Sequence, residues 1–265
     1  MRDWIWAAVL TAVLGCASAP PAPAGRRVLF DEAHHNVHTA SGRYRPCVEL
    51  VAAAGYQVTP NSSPFSAATL RGYDLVVIAN ARHAGPEAPL AERGRPAFTG
   101  AEADAVHDWV RAGGGLLLIT DHHPISGANQ ILADRFGVAM SNAWTEDPLH
   151  HREGPQEIVF SREDGLLGNH SITRDLTRVV TFGGQSLQGP LGSVPLLRLS
   201  PAAIDRFPDG LRASAAGRSQ GLALRLGKGR VVVLGEAAML TSQPEEEGTI
   251  GFTVPGYDDG NSRSM

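Results

Sequence analysis

Short apolar runs that alternate with helical patterns constrain the fold of this chain more than any other sequence feature. Such runs occupy residues 27–30, 56–58, 74–79 and 116–120. Strands that are apolar on both faces are typical of a parallel sheet covered by helices, because both faces are buried. The chain has 265 residues, of which 43% are hydrophobic, so it can bury a sizeable core. We therefore predict an α/β fold with a doubly wound, mostly parallel sheet.

The segments between these runs carry helix signals. A helix is predicted over residues 46–54, another over residues 127–136, and a third through Ala112 after a capping box formed by Thr99 and Glu102. The second half has long Gly/Pro connections and no linker, which favours one domain, residues 26–265, with a β-rich elaboration. Further strands are predicted at residues 157–160, 178–182, 194–199, 221–226 and 230–234.

The first 25 residues have the anatomy of a bacterial lipoprotein signal peptide followed by a Pro/Ala tether. Arg2 is positive, residues 5–14 are a short apolar stretch, and Cys16 follows small residues. Lipidation at Cys16 predicts a lipid-anchored protein of the cell envelope whose only link to the membrane is that anchor. Ordinary signal-peptidase cleavage after Ala19 is the alternative. Ala17 favours the outer membrane in a Gram-negative organism.

Charge and cysteine content indicate which partners and which roles for cysteine are expected. The chain carries 27 acidic and 23 basic residues, a net charge of -4, without a basic run, which argues against a nucleic-acid partner. If Cys16 carries lipid, Cys47 is left without a disulfide partner. Its helical context predicts a buried structural thiol.

Polar clusters follow the predicted strands. Residues 31–38, 80–83 and 121–124 and Glu236 each come directly after an apolar run. The carboxyl ends of parallel strands meet at one sheet edge, where open α/β sheets bind ligands. Helix caps and loop hydrogen bonds are the alternative roles for such residues. The predicted ligand-binding residues are Asp31, Glu32, His34, Asn36, His38, Asp121, His122 and Glu236.

A metal site is left open by the sequence. His34, His38 and His122 are the candidate ligands for a divalent metal, and imidazole is a common ligand of such ions. No His-Glu-x-x-His or Cys-x-x-Cys motif is present. No cofactor is therefore assigned from the residues alone.

Three segments resemble a known family. Residues 31–39, 109–124 and 227–243, with the order of strands, are similar to class I glutamine-amidotransferase-like domains. They resemble more closely the GIFT-type branch, which is related to domains of gliding-motility and intraflagellar-transport proteins. The resemblance covers roughly residues 26–258. It implies a flavodoxin-like three-layer fold and the binding of sugars or polysaccharides.

The chain departs from that family at two places. Glutamine amidotransferases carry a nucleophilic Cys on the turn after the strand at residues 116–120, where this chain has Asp121 and His122. Glutaminase chemistry is therefore excluded, because it needs a thiolate at that turn. The resemblance also implies a closing C-terminal helix after Asp259, and residues 260–265 are too few to form one.

Three functions remain open at this point. The leading hypothesis is an envelope lipoprotein whose α/β domain binds a polar, carbohydrate-like small molecule or glycan. The second is a hydrolase of the same ligand class, with acid and base groups supplied by carboxylates and histidines, with or without a metal. The third is a docking subunit without catalysis.

Overall fold

The computed structural model describes residues 25–245 and 248–251. Cys16, nearly all of the predicted signal peptide and tether, and the chain after residue 251 lie outside the described residues. In the part of the chain described here, no helix combines the length and apolar character that a membrane span requires. The fold below concerns the described residues alone.

A mixed sheet of nine strands organises the domain. The order β2-β1-β3-β4-β14 is parallel throughout, and β13, β9 and β5 continue the sheet with antiparallel pairing. Strand β10 pairs with β13. The strands are β1 (Arg27–Asp31), β2 (Gln57–Asn61), β3 (Leu75–Ala79), β4 (Gly115–Ile119), β5 (Ala139–Met140), β6 (Trp144–Glu146), β7 (Val159–Ser161), β8 (Arg178–Val180), β9 (Leu187–Gln188), β10 (Val194–Arg198), β11 (Ile204–Arg206), β12 (Arg212–Ser214), β13 (Ser219–Leu226), β14 (Gly229–Leu234), β15 (Ser242–Glu245) and β16 (Gly248–Gly251).

Helices cover both faces of the parallel strands. Alternate side chains of a strand point to opposite faces, and Val28 and Phe30 join one buried cluster whereas Leu29 joins another. The first cluster contains residues of α1, and the second contains residues of α3 and α4. The helices are α1 (Arg45–Ala53), α2 (Leu90–Arg93), α3 (Gly100–Ala112) and α4 (Ile125–Asp134), with a short 3-10 helix at Ala238–Leu240.

The structure confirms the coarse part of the predicted fold, a mixed sheet with mostly parallel strands and few helices. The capping box of Thr99 and Glu102 opens α3, as its sequence pattern indicates. Helix α4 begins at Ile125, two residues before the predicted start, and its last residue is Asp134. Gly137, which follows the helix, has a positive φ of 68°. Cys47 is buried, and burial raises the pKa of its thiol to about 12.

The second half contributes mainly short strands. Strands β6, β11 and β12 form a three-stranded sheet, and β7 pairs with β8. Within the described residues, no α-helix follows α4. This region packs on the face that α1 also covers, because Phe160 and Leu197 belong to the same buried cluster as Val28. It therefore shields one side of the parallel strands.

Candidate functional site

The carboxyl ends of β1, β3, β4 and β14 lie side by side, because these strands are parallel neighbours. Asn80, directly after β3, links two of these ends: its Oδ1 accepts a hydrogen bond from the Asp121 N–H (2.8 Å) and its Nδ2 donates to Asp121 Oδ2 (3.3 Å). The Asn80 carbonyl accepts from the N–H of Val37 (3.0 Å). Asn36 donates to Asp31 Oδ2 (3.0 Å). Loops from distant parts of the chain are thus joined at one edge.

Residues 184 and 185 complete this edge from the second half of the chain. The Gln185 N–H donates to the Gly235 carbonyl (2.7 Å), and Gln185 Nε2 donates to the Asp121 carbonyl (3.1 Å). The two backbones approach so closely that a Cβ added to Gly184 would lie 2.3 Å from the Gly235 carbonyl oxygen. Glycine is required here because any side chain would collide with the end of β14.

His34 lies in a buried group that we call the His34 cluster: Asp31, His34 and Glu102. His34 Nδ1 lies 2.9 Å from both Asp31 carboxylate oxygens, and Nε2 lies 2.9 Å from Glu102 Oε1. Both ring nitrogens thus lie within hydrogen-bonding distance of carboxyl oxygens, an arrangement that favours the protonated form of the ring. The ring centroids of Phe65 and Phe98 lie 5.3 and 4.5 Å away. The cluster is therefore closed by two phenyl rings.

The pKa values of His34 and Glu102 are shifted by the groups that contact them in the His34 cluster. Burial lowers the pKa of His34, but hydrogen bonds and charges from Asp31 and Glu102 outweigh burial and raise it. For Glu102, burial by itself raises the pKa, but hydrogen bonds from Thr99 and His34 outweigh burial, so the pKa of Glu102 is lowered. Glu102 Oε1 also accepts from the N–H of Phe65 (3.1 Å). The cluster ties β1 to the start of α3.

His38, another predicted ligand-binding residue in the loop after β1, packs inside the protein. His38 is 3% exposed and stacks on Tyr44 with ring centroids 4.9 Å apart. Burial lowers the pKa of His38 to about 4, with Arg43 and Arg82 acting in the same direction. Its Nδ1 is buried and has no hydrogen-bond partner among the described residues. A neutral imidazole results.

Glu32 lies at the start of the same loop. Glu32 Oε1 accepts a hydrogen bond from the N–H of Ala40 (2.8 Å), and the Glu32 side chain is partly exposed. A carboxylate that accepts from a nearby backbone N–H is a common loop-stabilising device. The geometry thus gives Glu32 a local structural partner, as the alternative sequence interpretation expected for some of these residues.

A second group at this edge is more open. We call it the Asp121 cluster: Asp121, His122, Trp144 and Glu236. Asp121, His122 and Trp144 are partly exposed, whereas Glu236 is fully buried beneath them. The ring centroids of His122 and Trp144 lie 4.8 Å apart at an angle of 31°. The group therefore brings together an aspartate, a histidine and a tryptophan that are each partly exposed.

The two carboxyl groups of the Asp121 cluster influence each other. Burial and then the charge of Asp121 raise the pKa of Glu236 to about 8, although backbone N–H groups that include that of Met239 (3.0 Å) oppose the rise. Burial also raises the pKa of Asp121, against the effects of His122 and Asn80. The pair therefore retains a proton at neutral pH, because two close carboxylates do not both ionise readily.

Backbone strain is concentrated near this edge. Among the described non-glycine residues, positive φ angles occur at His35 (44°), Asn80 (52°) and Asn142 (55°). His35 and Asn80 lie in the loops after β1 and β3, and Asn142 Oδ1 accepts from Ser126 Oγ (2.7 Å) at the start of α4. Non-glycine residues adopt this region infrequently, although Asn and His do so more readily than most.

The three candidate metal ligands that the sequence offered do not come together in the described residues. Both ring nitrogens of His34 are engaged by carboxylates, and His38 is buried against Tyr44. His122 Nδ1 lies 2.8 Å from the His123 carbonyl oxygen. Across residues 25–245 and 248–251, no three His, Cys, Asp or Glu side chains are grouped so that they could hold a metal ion. The three candidates thus have separate surroundings.

Three residues of this edge are absent from the ligand-binding residues that the sequence predicts: Asn80, Glu102 and Trp144. The capping-box pattern revealed Glu102, but its ion pair with His34, 68 positions earlier, had no local signal. Asn80 lies directly after a strand, which was the available signal. Nothing in the sequence around Trp144 placed its ring beside His122.

Comparison with known proteins bears on the fold alone. A scan of protein-family models and a search of curated proteins each gave no match. Among solved structures, the chain is similar to the "mmIFT52 N-terminal domain" with a TM-score of 0.60 and 19% identity, covering 81% of this chain and 88% of that one. This likeness shows a shared fold.

Two further structures are similar at lower scores. A ThuA-like protein from Bacteroides uniformis has a TM-score of 0.48 and 15% identity, covering 84% of this chain and 86% of its own. A GMP synthase-type protein from Thermoplasma acidophilum has a TM-score of 0.41 and 15% identity, with coverage of 84% and 86%.

Proposed function

We propose that this protein is an envelope-anchored lipoprotein whose α/β domain binds a polar, carbohydrate-like ligand at the carboxyl edge of its sheet. The observation that carries the proposal is the Asp121 cluster, in which a partly exposed carboxylate and imidazole lie beside a partly exposed indole. Polar groups of this kind fix the orientation of a ligand, and an amphipathic ring packs on its apolar face. A polyol offers both kinds of surface.

The strand order supports the placement of this ligand. The parallel order β2-β1-β3-β4-β14 corresponds to the 2-1-3-4-5 order of flavodoxin-like sheets, in which ligands bind where the order reverses, between β1 and β3. Asn80, directly after β3, joins this switch point to Asp121 of the Asp121 cluster, which follows the neighbouring strand β4. We propose a flavodoxin-like three-layer domain of glutamine-amidotransferase-like ancestry, with the short strands β5 to β12 as its β-rich elaboration.

A hydrolase is the second candidate, favoured by the carboxyl pair. Glu236 has a pKa of about 8 and lies beside Asp121, so a proton is available at neutral pH. General acid catalysis works best when the acid titrates near the working pH. Binding remains the first proposal because Glu236 is fully buried, which leaves Asp121 as the carboxyl group of the pair that a ligand can reach.

Carbohydrate binding is tested by calorimetry on the full chain in detergent. Chitotriose and maltotriose serve as probes, with and without added Mg²⁺ or Zn²⁺. We expect Trp144→Ala and Asp121→Asn each to weaken binding at least tenfold and Glu163→Gln, an exposed carboxylate outside the cluster, to leave it unchanged. Product formation during the titration would favour the hydrolase. If a broad glycan array also detects no ligand, the domain is a docking subunit.

The lipid anchor needs a separate test. Cys16→Ser in the natural host is expected to release the protein from membranes and to leave the precursor at its full size. Unchanged membrane association with a mature-size product would contradict lipidation at Cys16. The result does not depend on the ligand.

A further inference from the structure

The two edges of the parallel sheet carry opposite charge. We call the segments at the start of the five parallel strands the amino edge: residues 25–27, 54–57, 71–74, 111–115 and 227–229. Its charged residues are Arg26, Arg27, Arg71, Asp74, Arg111 and Lys228, of which only one is acidic. The segments at the carboxyl ends of the same strands, residues 31–32, 61–62, 80–83, 120–122 and 235–236, contain four acidic residues and one arginine.

Most of the basic groups of the amino edge are open to solvent. The exposed ones are Arg27, Arg71, Arg111 and Lys228. Arg111 lies 3.7 Å from Asp108, and both side chains are 65% exposed, so this surface pair is weak and leaves the guanidinium open to another anion. Neither Arg71 nor Lys228 forms an ion pair with another described residue. The edge therefore presents an excess of positive charge.

The chain enters the domain at this same edge. Asp74, directly before β3, fixes the entry: its Oδ1 accepts a hydrogen bond from Arg26 Nη1, and its Oδ2 accepts one from the Arg27 N–H, each at 2.9 Å. On the other side, the N–H of Gln57 donates to the Arg26 carbonyl (2.8 Å). Residues 26 and 27 are thus held between the starts of β2 and β3.

The predicted tether is short compared with the domain. Gly25 follows Cys16 by nine residues, and an extended chain spans at most about 3.6 Å per residue, which gives a reach of about 32 Å. A globular domain of this size has a radius of gyration of about 17 Å and is about 45 Å across. A lipid on Cys16 therefore favours an orientation in which the amino edge faces the membrane.

We propose that the amino edge docks on anionic phospholipid headgroups, so that the Asp121 cluster lies on the side of the domain that faces away from the membrane. Guanidinium groups bind phosphate through paired N–H donors, and basic side chains beside a membrane are attracted to an anionic surface. The inference rests on the lipid anchor of the proposed function and is independent of the ligand that binds at the Asp121 cluster.

The test uses the full lipidated chain in vesicles of phosphatidylcholine, alone or mixed equally with phosphatidylglycerol, that contain a lipid with a nitroxide on its headgroup. A fluorophore is attached through Ala53→Cys, at the end of α1 beside the amino edge, or through Ser62→Cys, directly after β2 at the carboxyl edge. Both positions are exposed. Cys47 does not compete for the label, because its thiol is buried and has a pKa of about 12.

We expect the nitroxide to quench the label at position 53 several-fold more than the label at position 62 in the anionic vesicles. The difference should shrink in vesicles of phosphatidylcholine alone and at high salt, because exposed charges are screened. Equal quenching of the two labels, or a difference that does not depend on phosphatidylglycerol, overturns the proposal. A chain that does not float with either kind of vesicle contradicts the lipid anchor itself, and the docking with it.

Charge variants decide whether the basic residues are responsible. Arg71→Gln combined with Lys228→Gln should at least halve the difference in quenching. The matched control combines Arg178→Gln with Arg212→Gln, which removes the same charge from exposed residues of β8 and β12, outside the amino edge, and should leave the difference unchanged. Melting temperatures check that each variant is folded. Equal effects of the two double substitutions would overturn the proposal, because net charge alone would then explain the docking.

Discussion

The His34 cluster and the Asp121 cluster lie at the same sheet edge and each contain an Asp, a His and a Glu, yet their surroundings differ. In the first, two carboxyl groups engage both ring nitrogens of a buried histidine that lies between two phenyl rings. In the second, Asp121 and His122 are partly exposed, and the carboxyl pair retains a proton. An acid beside a histidine is therefore no functional signal by itself. Whether such a pair can bind a ligand depends on whether its donors and acceptors are already hydrogen-bonded inside the protein or are available at the surface.

The largest effect is expected from His34→Ala. The substitution leaves Asp31 and Glu102 as buried carboxylates without their cation, and breaking a buried ion pair costs about 3–5 kcal/mol of unfolding free energy. Urea unfolding at pH 6 measures it. A loss below about 1 kcal/mol, the effect of an average substitution, would contradict the structural role of the His34 cluster.

The second prediction concerns pH between 6.5 and 8. Glu236, with a pKa of about 8, keeps its proton in the folded state after the unfolded state has lost it, so stability falls as pH rises. The raised pKa of His34 acts in the same direction above pH 6.5. His38, with a folded pKa of about 4, acts in the opposite direction near pH 6.5, where the unfolded state is still partly protonated, and contributes little near pH 8. Each proton contributes a slope of up to about 1.4 kcal/mol per pH unit.

The matched variant is Glu236→Gln. It should reduce the slope of unfolding free energy against pH to the contribution that His34 makes. Unfolding free energies at three pH values between 6.5 and 8 provide the measurement. A stability that rises over this interval, or an equal slope in the variant, would show that Glu236 is ionised in the folded protein.

Asp121→Asn should affect ligand binding more than stability. Loss of the carboxylate removes a ligand contact, for which we expect at least a tenfold loss of affinity, about 1.4 kcal/mol. Removal of its charge also lowers the pKa of Glu236, which NMR titration of the Glu236 carboxyl carbon would detect. A variant that unfolds easily but still binds would place Asp121 among the structural residues.

The smallest effect is expected from His122→Gln. His122 is partly exposed, so the unfolding free energy should change by less than about 0.5 kcal/mol. Loss of its ring contact with Trp144 should weaken binding by a few fold. Comparison with His34→Ala uses the same residue type at the same sheet edge, and equal losses of stability in the two variants would remove the distinction between the clusters.

The parallel strands were predictable because their pattern is local. Residues 74–79 and 116–120 are apolar on both faces, and β3 and β4 lie at Leu75–Ala79 and Gly115–Ile119. The second half was less predictable: the strands at 157–160 and 178–182 exist in shortened form as β7 and β8, and they pair with each other outside the main sheet. Pairing between short strands depends on packing partners rather than on their own sequence.

The sequence by itself determined that polar loops follow the parallel strands, and parallel pairing then delivers them to one edge. Only the tertiary structure decided their roles. His34 and His122 both neighbour an aspartate in the sequence, yet the arrival of Glu102 from α3 closes one group, whereas Trp144 lies beside the other at the surface. The physical reason is that burial and hydrogen-bond partners set the charge and availability of a side chain, and long-range contacts supply both.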